Sequence, residues 1–270
     1  MQLPRAAVVP LGSALVLAMA LGACSRLSFV RPDASRGDYT QTAPVIEVSD
    51  GDRVPVLAVR DRLLLAEHRL GAGQLDEAQA QAEAVLDLAP GTAAAHTVLA
   101  LVAGRRGDTA RAGTHFARAA ELAPRGVTLN NYGTWLCANG QPAQSLAWFD
   151  RALADPAYRS RASALANAGH CAVRAGQDAR AERDLREALA LDPDSVVALS
   201  ALAELAYRNG NAFEARAFSQ RRLAAGPADA RALQLASQIE QKLGDRAAAE
   251  RYTRRMRAEF GDSPAQAGDL

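Results

Sequence analysis

The stretch ASALANAGHCAVRAGQDARAERDLREALALDPDS, residues 162–195, contains the pattern that specifies the fold. Gly176 divides it into two segments of helix-forming residues, and Pro193 follows the second segment, 17 residues after the glycine. Glycine readily adopts the left-handed conformation that ends many helices, and proline cannot donate the hydrogen bond that a continuing helix needs. The stretch therefore predicts two helices joined by a tight turn.

The same spacing of glycine and proline recurs along most of the chain. Successive glycines lie 34, 33, 36, 34 and 34 residues apart, at Gly73, Gly107, Gly140, Gly176, Gly210 and Gly244. A proline follows 16 or 17 residues after the first five, at Pro90, Pro124, Pro156, Pro193 and Pro227. A period near 34 is that of the tetratricopeptide repeat, a unit of helix A, turn and helix B. We expect an all-α, right-handed superhelical solenoid of six repeats at residues 59–92, 93–125, 126–161, 162–195, 196–229 and 230–263.

Small residues occupy the positions at which the two helices of a repeat must touch. They fall seven residues before the turn glycine, at Ala66, Ala100, Gly133, Gly169 and Ala203, and five after it, at Ala78, Ala112, Ser145, Ala181, Ala215 and Ala249. A third position, which faces the next repeat, holds alanine in repeats 2 to 4. Repeats 5 and 6 depart from this pattern, with Arg222 and Met256 there. A terminal repeat must present a polar face to solvent. We therefore interpret the arginines of the last helix as a solvated capping surface, with a binding patch as the alternative.

Composition agrees with a helical protein and excludes a polyanion-binding surface. The 270 residues include 62 alanines and only 13 aromatic residues, which favours closely packed helices over sheets. Lysine and arginine number 31 against 30 aspartates and glutamates, a net charge of +1. Because nucleic-acid binding needs a surplus of basic groups, we expect no nucleic-acid partner.

The first residues have the pattern of an export signal. Residues 6–23 carry no charge and follow a short segment with one arginine, and the run ends Leu21-Gly22-Ala23-Cys24. This ending resembles the lipobox of bacterial lipoproteins, which implies cleavage after residue 23 and lipidation of Cys24. Ser25 in place of Asp implies sorting to the outer membrane, facing the periplasm. The alternatives are a retained transmembrane helix or an ordinary signal peptide with an incidental cysteine.

Between the signal and the repeats lies a segment with little apolar periodicity. Residues 24–58 contain three prolines among Ser, Asp, Gly and Thr, which predicts a flexible tether carrying the lipidated cysteine. Residues 45–48 could instead add a strand to a partner. We expect residues 264–270 to be a disordered tail.

No pattern of residues indicates catalysis, a metal or a cofactor. His68, His96, His115 and His170 lie in different predicted helices, without a second ligand four residues away or a cysteine pair at metal spacing. Nucleophile elbows and phosphate-binding glycine loops are absent from the sequence. We therefore predict a protein that is not an enzyme, has no cofactor and takes no small-molecule substrate.

Repeats 3 and 4 contain segments that generic repeats do not require. These are LNNYGTWLC at residues 129–137, DPAY at 155–158 and ALANAGHC at 164–171. They resemble the type IV pilus biogenesis and stability lipoprotein family, PilF/PilW. The resemblance implies an outer-membrane lipoprotein that acts as a pilotin or assembly factor, with the pilus secretin or another pilus assembly protein as partner. The alternatives are a lipid-anchored scaffold for cell-wall synthesis or outer-membrane protein insertion, an enzyme regulator, and a peptidoglycan-associated factor.

The A helices of such a solenoid line a concave groove suited to a peptide or partner segment. The central inward positions are small, polar and mixed in charge: Asn130, Thr134, Cys137, Ser163, Ala166, His170, Ser200, Glu204 and Tyr207. The resemblance adds Asn131 and Tyr132 as candidate partner-binding residues. A structural role for the segment from Asn130 to Tyr132, in bridging and packing helices, is the equal alternative.

Cys137 and Cys171 lie at nearly equivalent heights on successive A helices. If lipid occupies Cys24, these are the two remaining thiols of a protein in an oxidising compartment, and neighbouring helix axes 8–10 Å apart would allow the sulfurs to meet. We expect a disulfide between them. The alternative is two small buried thiols that fill tight contacts as alanine does elsewhere.

Overall fold

A computed structural model describes residues 50–261, with side chains from Val56 onward except Leu57. Over that range the chain forms twelve α-helices and no strand, which confirms the all-α class. The helices pair as α1 Asp50–Gly71 with α2 Leu75–Leu88, α3 Ala93–Arg105 with α4 Thr109–Leu122, α5 Gly126–Ala138 with α6 Pro142–Ala154, α7 Arg161–Arg174 with α8 Asp178–Leu191, α9 Val196–Arg208 with α10 Ala212–Ala225, and α11 Ala230–Leu243 with α12 Arg246–Phe260.

The turn glycines end the A helices as predicted. All six have φ between 71° and 84°, the left-handed region that side chains with a Cβ rarely adopt. In each turn the residue after the glycine donates its N–H to the carbonyl five residues earlier, as Gln177 does to Ala172 at 2.9 Å. This bond is the mark of a Schellman motif, so one local device ends every A helix.

The B helices end just before the prolines. Each of α2, α4, α6, α8 and α10 stops two residues ahead of its proline, where the restricted backbone disfavours another helical residue. Helix α12 has no such proline and ends instead at Gly261, whose φ is +77°.

Contact between helices A and B depends on the small residues. The alanines at these positions, and Ser145, are buried. A Cβ built on Gly169 would lie 2.5 Å from Cγ of Leu185, and one on Gly133 would lie 3.1 Å from the Phe149 ring. The two helices of a repeat therefore approach to a distance that allows no larger side chain.

Helix α1 begins at Asp50, nine residues before the expected start of the first repeat. Pro55 had favoured a tether, but the helix continues through it to Gly71, so the proline removes one backbone hydrogen bond without ending the helix. The tether boundary at residue 58 is corrected accordingly. The predicted signal peptide, the lipidation of Cys24, the rest of the tether and the tail at 264–270 fall outside the described residues.

The A helices form the inner layer of the solenoid. Four of the five neighbouring pairs of A helices contact each other directly, most extensively α7 and α9, whereas each B helix packs mainly on A helices. A stack that is tighter on one side curves toward that side, so the A helices line the concave surface.

A row of cations joins successive A helices at their C-terminal ends. Two residues before the turn glycine, repeats 2, 4, 5 and 6 have Arg105, Arg174, Arg208 and Lys242. Each reaches the residue three before the preceding turn glycine: Leu70, Cys137, Val173 and Tyr207. A helix C-terminus carries partial negative charge and unpaired carbonyls, which explains why cations stand there.

Arg222 is the departure from the small-residue pattern in repeat 5. Its side chain is buried and donates hydrogen bonds to Ser200 Oγ at 3.1 Å, to the Pro227 carbonyl at 3.0 Å and to Asp229 at 2.7 Å. Because each of the three guanidinium nitrogens donates to an acceptor, the charge is tolerated, and it ties helix α10 to the start of α11.

Two histidines connect helices α3 and α4 within repeat 2. The Nδ1 atoms of His96 and His115 lie 3.0 Å apart, so one ring donates its N–H and the other accepts. Burial lowers the pKa of both rings, and Arg118 adds to the effect on His96 and Arg111 to that on His115. Glu83 opposes it at His115. The neutral pair is thus the form that the fold favours, since two protonated rings would have no acceptor between them.

We predict that Gly169→Ala destabilises the protein by about 1–3 kcal/mol, because the new methyl group would overlap Leu185. Urea unfolding followed by circular dichroism measures the change. Gly104→Ala is the matched control: the glycine is helical, its Cβ would meet nothing within 4 Å, and we expect unchanged stability or a gain of about 0.5–1 kcal/mol. Equal effects of the two substitutions would contradict the packing argument.

We also predict that the histidine pair makes stability depend on pH. Its contribution is present above the ordinary histidine pKa near 6.5 and is lost as the pH falls through the lowered values in the folded state. The wild-type protein should therefore lose about 1 kcal/mol more than His96→Gln/His115→Gln between pH 7.5 and 4.5, roughly one net hydrogen bond. Parallel pH profiles of urea unfolding would refute this, and exposed His68→Gln serves as the control.

Candidate partner-binding groove

A polar ladder crosses the groove between repeats 3 and 4. Asn167 Nδ2 donates to Asn130 Oδ1 at 3.2 Å and lies 3.4 Å from Thr134 Oγ1. Thr134 itself donates to the Asn130 carbonyl at 2.9 Å. Asn130 and Thr134, both predicted groove residues, are therefore joined to helix α7 by a third residue, Asn167, that was not predicted.

His170 lies on the same helix as Asn167, one turn further along. Burial lowers the pKa of this ring most; Arg174 and Arg231 act in the same direction and Glu204 opposes them. Its Nε2 is buried with no hydrogen-bond partner in the described chain. The ring is thus held neutral in the centre of the groove wall.

Repeats 5 and 6 supply a charged half of the groove in which the groups are already paired. Glu204 accepts a hydrogen bond from Arg231 at 2.9 Å, and the Lys242 ammonium lies 5.2 Å from the Tyr207 ring centroid. Ser200 accepts from the buried Arg222. All three predicted residues of this half lie near one another, each engaged by a cation from repeat 5 or 6.

Tyr132 packs between repeats 2 and 3. Its ring stacks on Trp135, with centroids 6.0 Å apart, and meets Trp148 edge-on at 4.7 Å. Trp135 in turn fills the space over Gly113, where a Cβ would lie 2.3 Å from the indole. Tyr132 thus makes the packing contacts that the structural alternative describes, and Asn131 beside it is half-buried; both stay candidate binding residues.

The DPAY segment, residues 155–158, fixes the start of helix α5. Asp155 accepts hydrogen bonds from the N–H groups of Gly126 at 2.8 Å and Ala157 at 2.9 Å, and these lower the pKa of its carboxyl group. Tyr158 packs so closely on Gly126 that a Cβ there would lie 2.2 Å from the ring. The segment therefore positions the helix that carries Asn130 and Thr134.

Cys137 and Cys171 are joined by a disulfide, with Cα atoms 5.8 Å apart, the pair anticipated from the sequence. Both residues are buried, and the bond ties α5 to α7 beneath the polar ladder. It thereby fixes the two A helices whose side chains form the ladder.

Groups that would suggest other chemistry were not found in the part of the chain that the structure describes. Within residues 50–261 no cluster of three or more His, Cys, Asp or Glu side chains could hold a metal ion. None of the described helices combines the length and apolar character needed to cross a membrane.

Three groove residues were not predicted from the sequence: Asn167, Arg174 and Arg231. Asn167 and Arg174 differ by seven residues and so share one stripe of helix α7 with His170. The sequence did contain a sign of Arg174, because a cation lies two residues before the turn glycine in four repeats: Arg105, Arg174, Arg208 and Lys242. Aligning the six repeats on their turn glycines would have revealed this shared position.

We predict that Cys137 and Cys171 in periplasmically produced protein resist alkylation after denaturation without reductant. Closing a loop of 34 residues stabilises the fold by about 3–4 kcal/mol in the chain-entropy model, so Cys137→Ser/Cys171→Ser should lose about that much. Mass spectrometry after iodoacetamide treatment gives the thiol state. Quantitative labelling of both residues would contradict the expectation.

Sequence comparison identifies the repeat. A profile described as the tetratricopeptide repeat matches residues 172–239, from the end of helix A of repeat 4 into repeat 6. No curated protein matches the sequence significantly.

Structural comparison extends the likeness to the whole repeat region. PilW, a widely conserved type IV pilus biogenesis factor, superposes with a TM-score of 0.70 at 29% identity, over 76% of this chain and 94% of PilW. PilF of Pseudomonas aeruginosa superposes with a TM-score of 0.68 at 22% identity, over 77% of this chain and 95% of PilF. YrrB, a tetratricopeptide-repeat protein with an unusual peptide-binding site, reaches 0.51 at 20% identity, over 64% and 88%. The chain is therefore a tetratricopeptide-repeat solenoid that resembles the type IV pilus biogenesis factor PilW.

Proposed function

We propose that this protein is an outer-membrane lipoprotein that promotes type IV pilus biogenesis by binding a pilus assembly protein in its groove. The observation that carries the proposal is the likeness to PilW, which extends over 94% of that protein and 76% of this chain. The partner we propose is the pilus secretin, whose assembly or localisation the protein would assist, or another pilus assembly protein through which it would stabilise the pilus.

The groove supports a binding role. Its wall between repeats 3 and 4 carries amide and hydroxyl groups that can bond a peptide backbone, and the disulfide holds the two helices that present them. A site whose supporting helices are fixed before binding loses less entropy on association.

Membrane attachment would come from the N-terminal sequence. We propose that Cys24 carries lipid and that residues 25–49 link it to helix α1. Several acyl chains on one cysteine would hold the protein stably, since each buried methylene contributes about 0.8 kcal/mol. The repeats would then lie on the periplasmic face of the outer membrane, within reach of a protein embedded there.

The test is genetic. Deleting the gene should abolish twitching motility and reduce the heat-resistant multimers of the secretin in membrane fractions. Wild-type protein should restore both, whereas Cys24→Ala should stay unlipidated, leave the outer-membrane fraction and restore neither. Ser25→Asp should redirect the protein to the inner membrane.

The controls separate loss of anchoring from loss of folding. Cys24→Ala must accumulate to wild-type levels and keep its helical circular dichroism. Unchanged motility and secretin multimers after deletion would show that the pilus assignment is wrong and would favour a scaffold in another envelope complex. Labelled palmitate on Cys24→Ala would show that the lipid is attached elsewhere.

A further inference from the structure

The cations at the C-terminal ends of the A helices are not equally satisfied. Arg105 and Arg208 donate to the carbonyls of Leu70 and Val173, and Lys242 lies over the Tyr207 ring. Arg174 reaches only Cys137 Sγ, at 4.0 Å, a sulfur that is already in a disulfide. Thioether-like and disulfide sulfurs are weak acceptors, so this exposed guanidinium lacks the partner that its counterparts have.

The difference between Arg174 and Arg208 has a visible cause. Arg208 forms an ion pair with Asp178, which lies two residues after the turn glycine of the preceding repeat. The residue at that place in front of Arg174 is Pro142. In the described chain Arg174 has no carboxylate partner, and the position from which Asp178 pairs with Arg208 is occupied by a proline in repeat 3.

The surroundings of Arg174 are those of a binding surface. Asn167, His170 and Arg174 follow one another along one stripe of helix α7, and the first belongs to the polar ladder of the groove. Seven residues of helix separate Asn167 from Arg174, a distance of about 10 Å. His170 and Arg174 lie one turn apart on that stripe, so the guanidinium lies beside the groove wall.

We propose that Arg174 is the anchor for a carboxylate of the protein that binds in the groove, an aspartate or glutamate side chain within an extended segment. This inference rests on the proposed function in taking the groove as the binding site, and it adds the chemistry of the partner. A guanidinium forms short, paired hydrogen bonds to a carboxylate. A site whose guanidinium N–H groups lack strong acceptors therefore favours a carboxylate ligand over a neutral one. The neighbouring ladder supplies groups for the backbone of the same segment.

The experiment measures binding of a short fluorescein-labelled peptide of alternating glycine and glutamate with blocked termini. The same peptide with glutamine in place of glutamate is the control ligand. Fluorescence polarisation at physiological ionic strength should show tighter binding of the glutamate peptide. Arg174→Gln should raise its Kd by about tenfold, since a charged hydrogen bond is lost.

Two further variants make the test specific. Arg208→Gln removes a cation from the same row that already has a carboxylate, and we expect less than a twofold change. Pro142→Asp supplies Arg174 with an internal carboxylate partner like that of Arg208. It should therefore weaken binding of the glutamate peptide as much as Arg174→Gln does. Aspartate is acceptable at the first position of helix α6, where the helix dipole favours it.

Equal weakening by Arg174→Gln and Arg208→Gln would indicate a diffuse charge effect and overturn the inference. Failure of the wild-type protein to distinguish glutamate from glutamine peptides would do the same. Circular dichroism tests whether each variant is folded. If Pro142→Asp does not fold, the comparison of Arg174→Gln with Arg208→Gln still tests the inference. Because the assay uses neither the secretin nor pili, its failure would leave the genetic test of the proposed function unaffected.

Discussion

The close approach of helices A and B within each repeat is the constraint on which the rest of the structure depends. At Gly169 the approach leaves no room for even a methyl group, and at the other repeats alanine, serine or glycine fills the same place. This contact sets the angle of each helix pair and leaves its outer faces apolar. The pairs must then stack, because an isolated repeat would expose residues such as Phe149 and Leu185 that are fully buried here.

Stacking is achieved differently at successive junctions. Between most repeats a cation reaches back to the preceding A helix, as Arg105 and Arg208 do. Repeat 3 has Ala138 at that place, and there Trp135 packs over Gly113 instead. Repeats 3 and 4 add the disulfide. The centre of the solenoid is therefore joined by contacts that do not yield to small changes in pH or salt, which suits a surface that must keep its shape.

The sequence was sufficient for features that depend on local chemistry. A glycine with positive φ and a proline that cannot donate act on their own neighbours, so the ends of the A and B helices could be located without a structure. Features that depend on partners far along the chain could not. The acceptors of Arg222 and the role of Asn167 depend on neighbouring helices, and nothing in the local pattern distinguishes them.

The groove shows why pairing within a protein matters for what it can bind. Glu204, Ser200 and Tyr207 looked available in the sequence, but each is engaged by a cation from repeat 5 or 6. A ligand that uses such a group must displace the internal partner, so little free energy is gained by the exchange. A group whose internal partner is absent has no such competitor. Affinity in this groove should therefore come from its unsatisfied donors, while the paired residues determine the shape that a partner must fit.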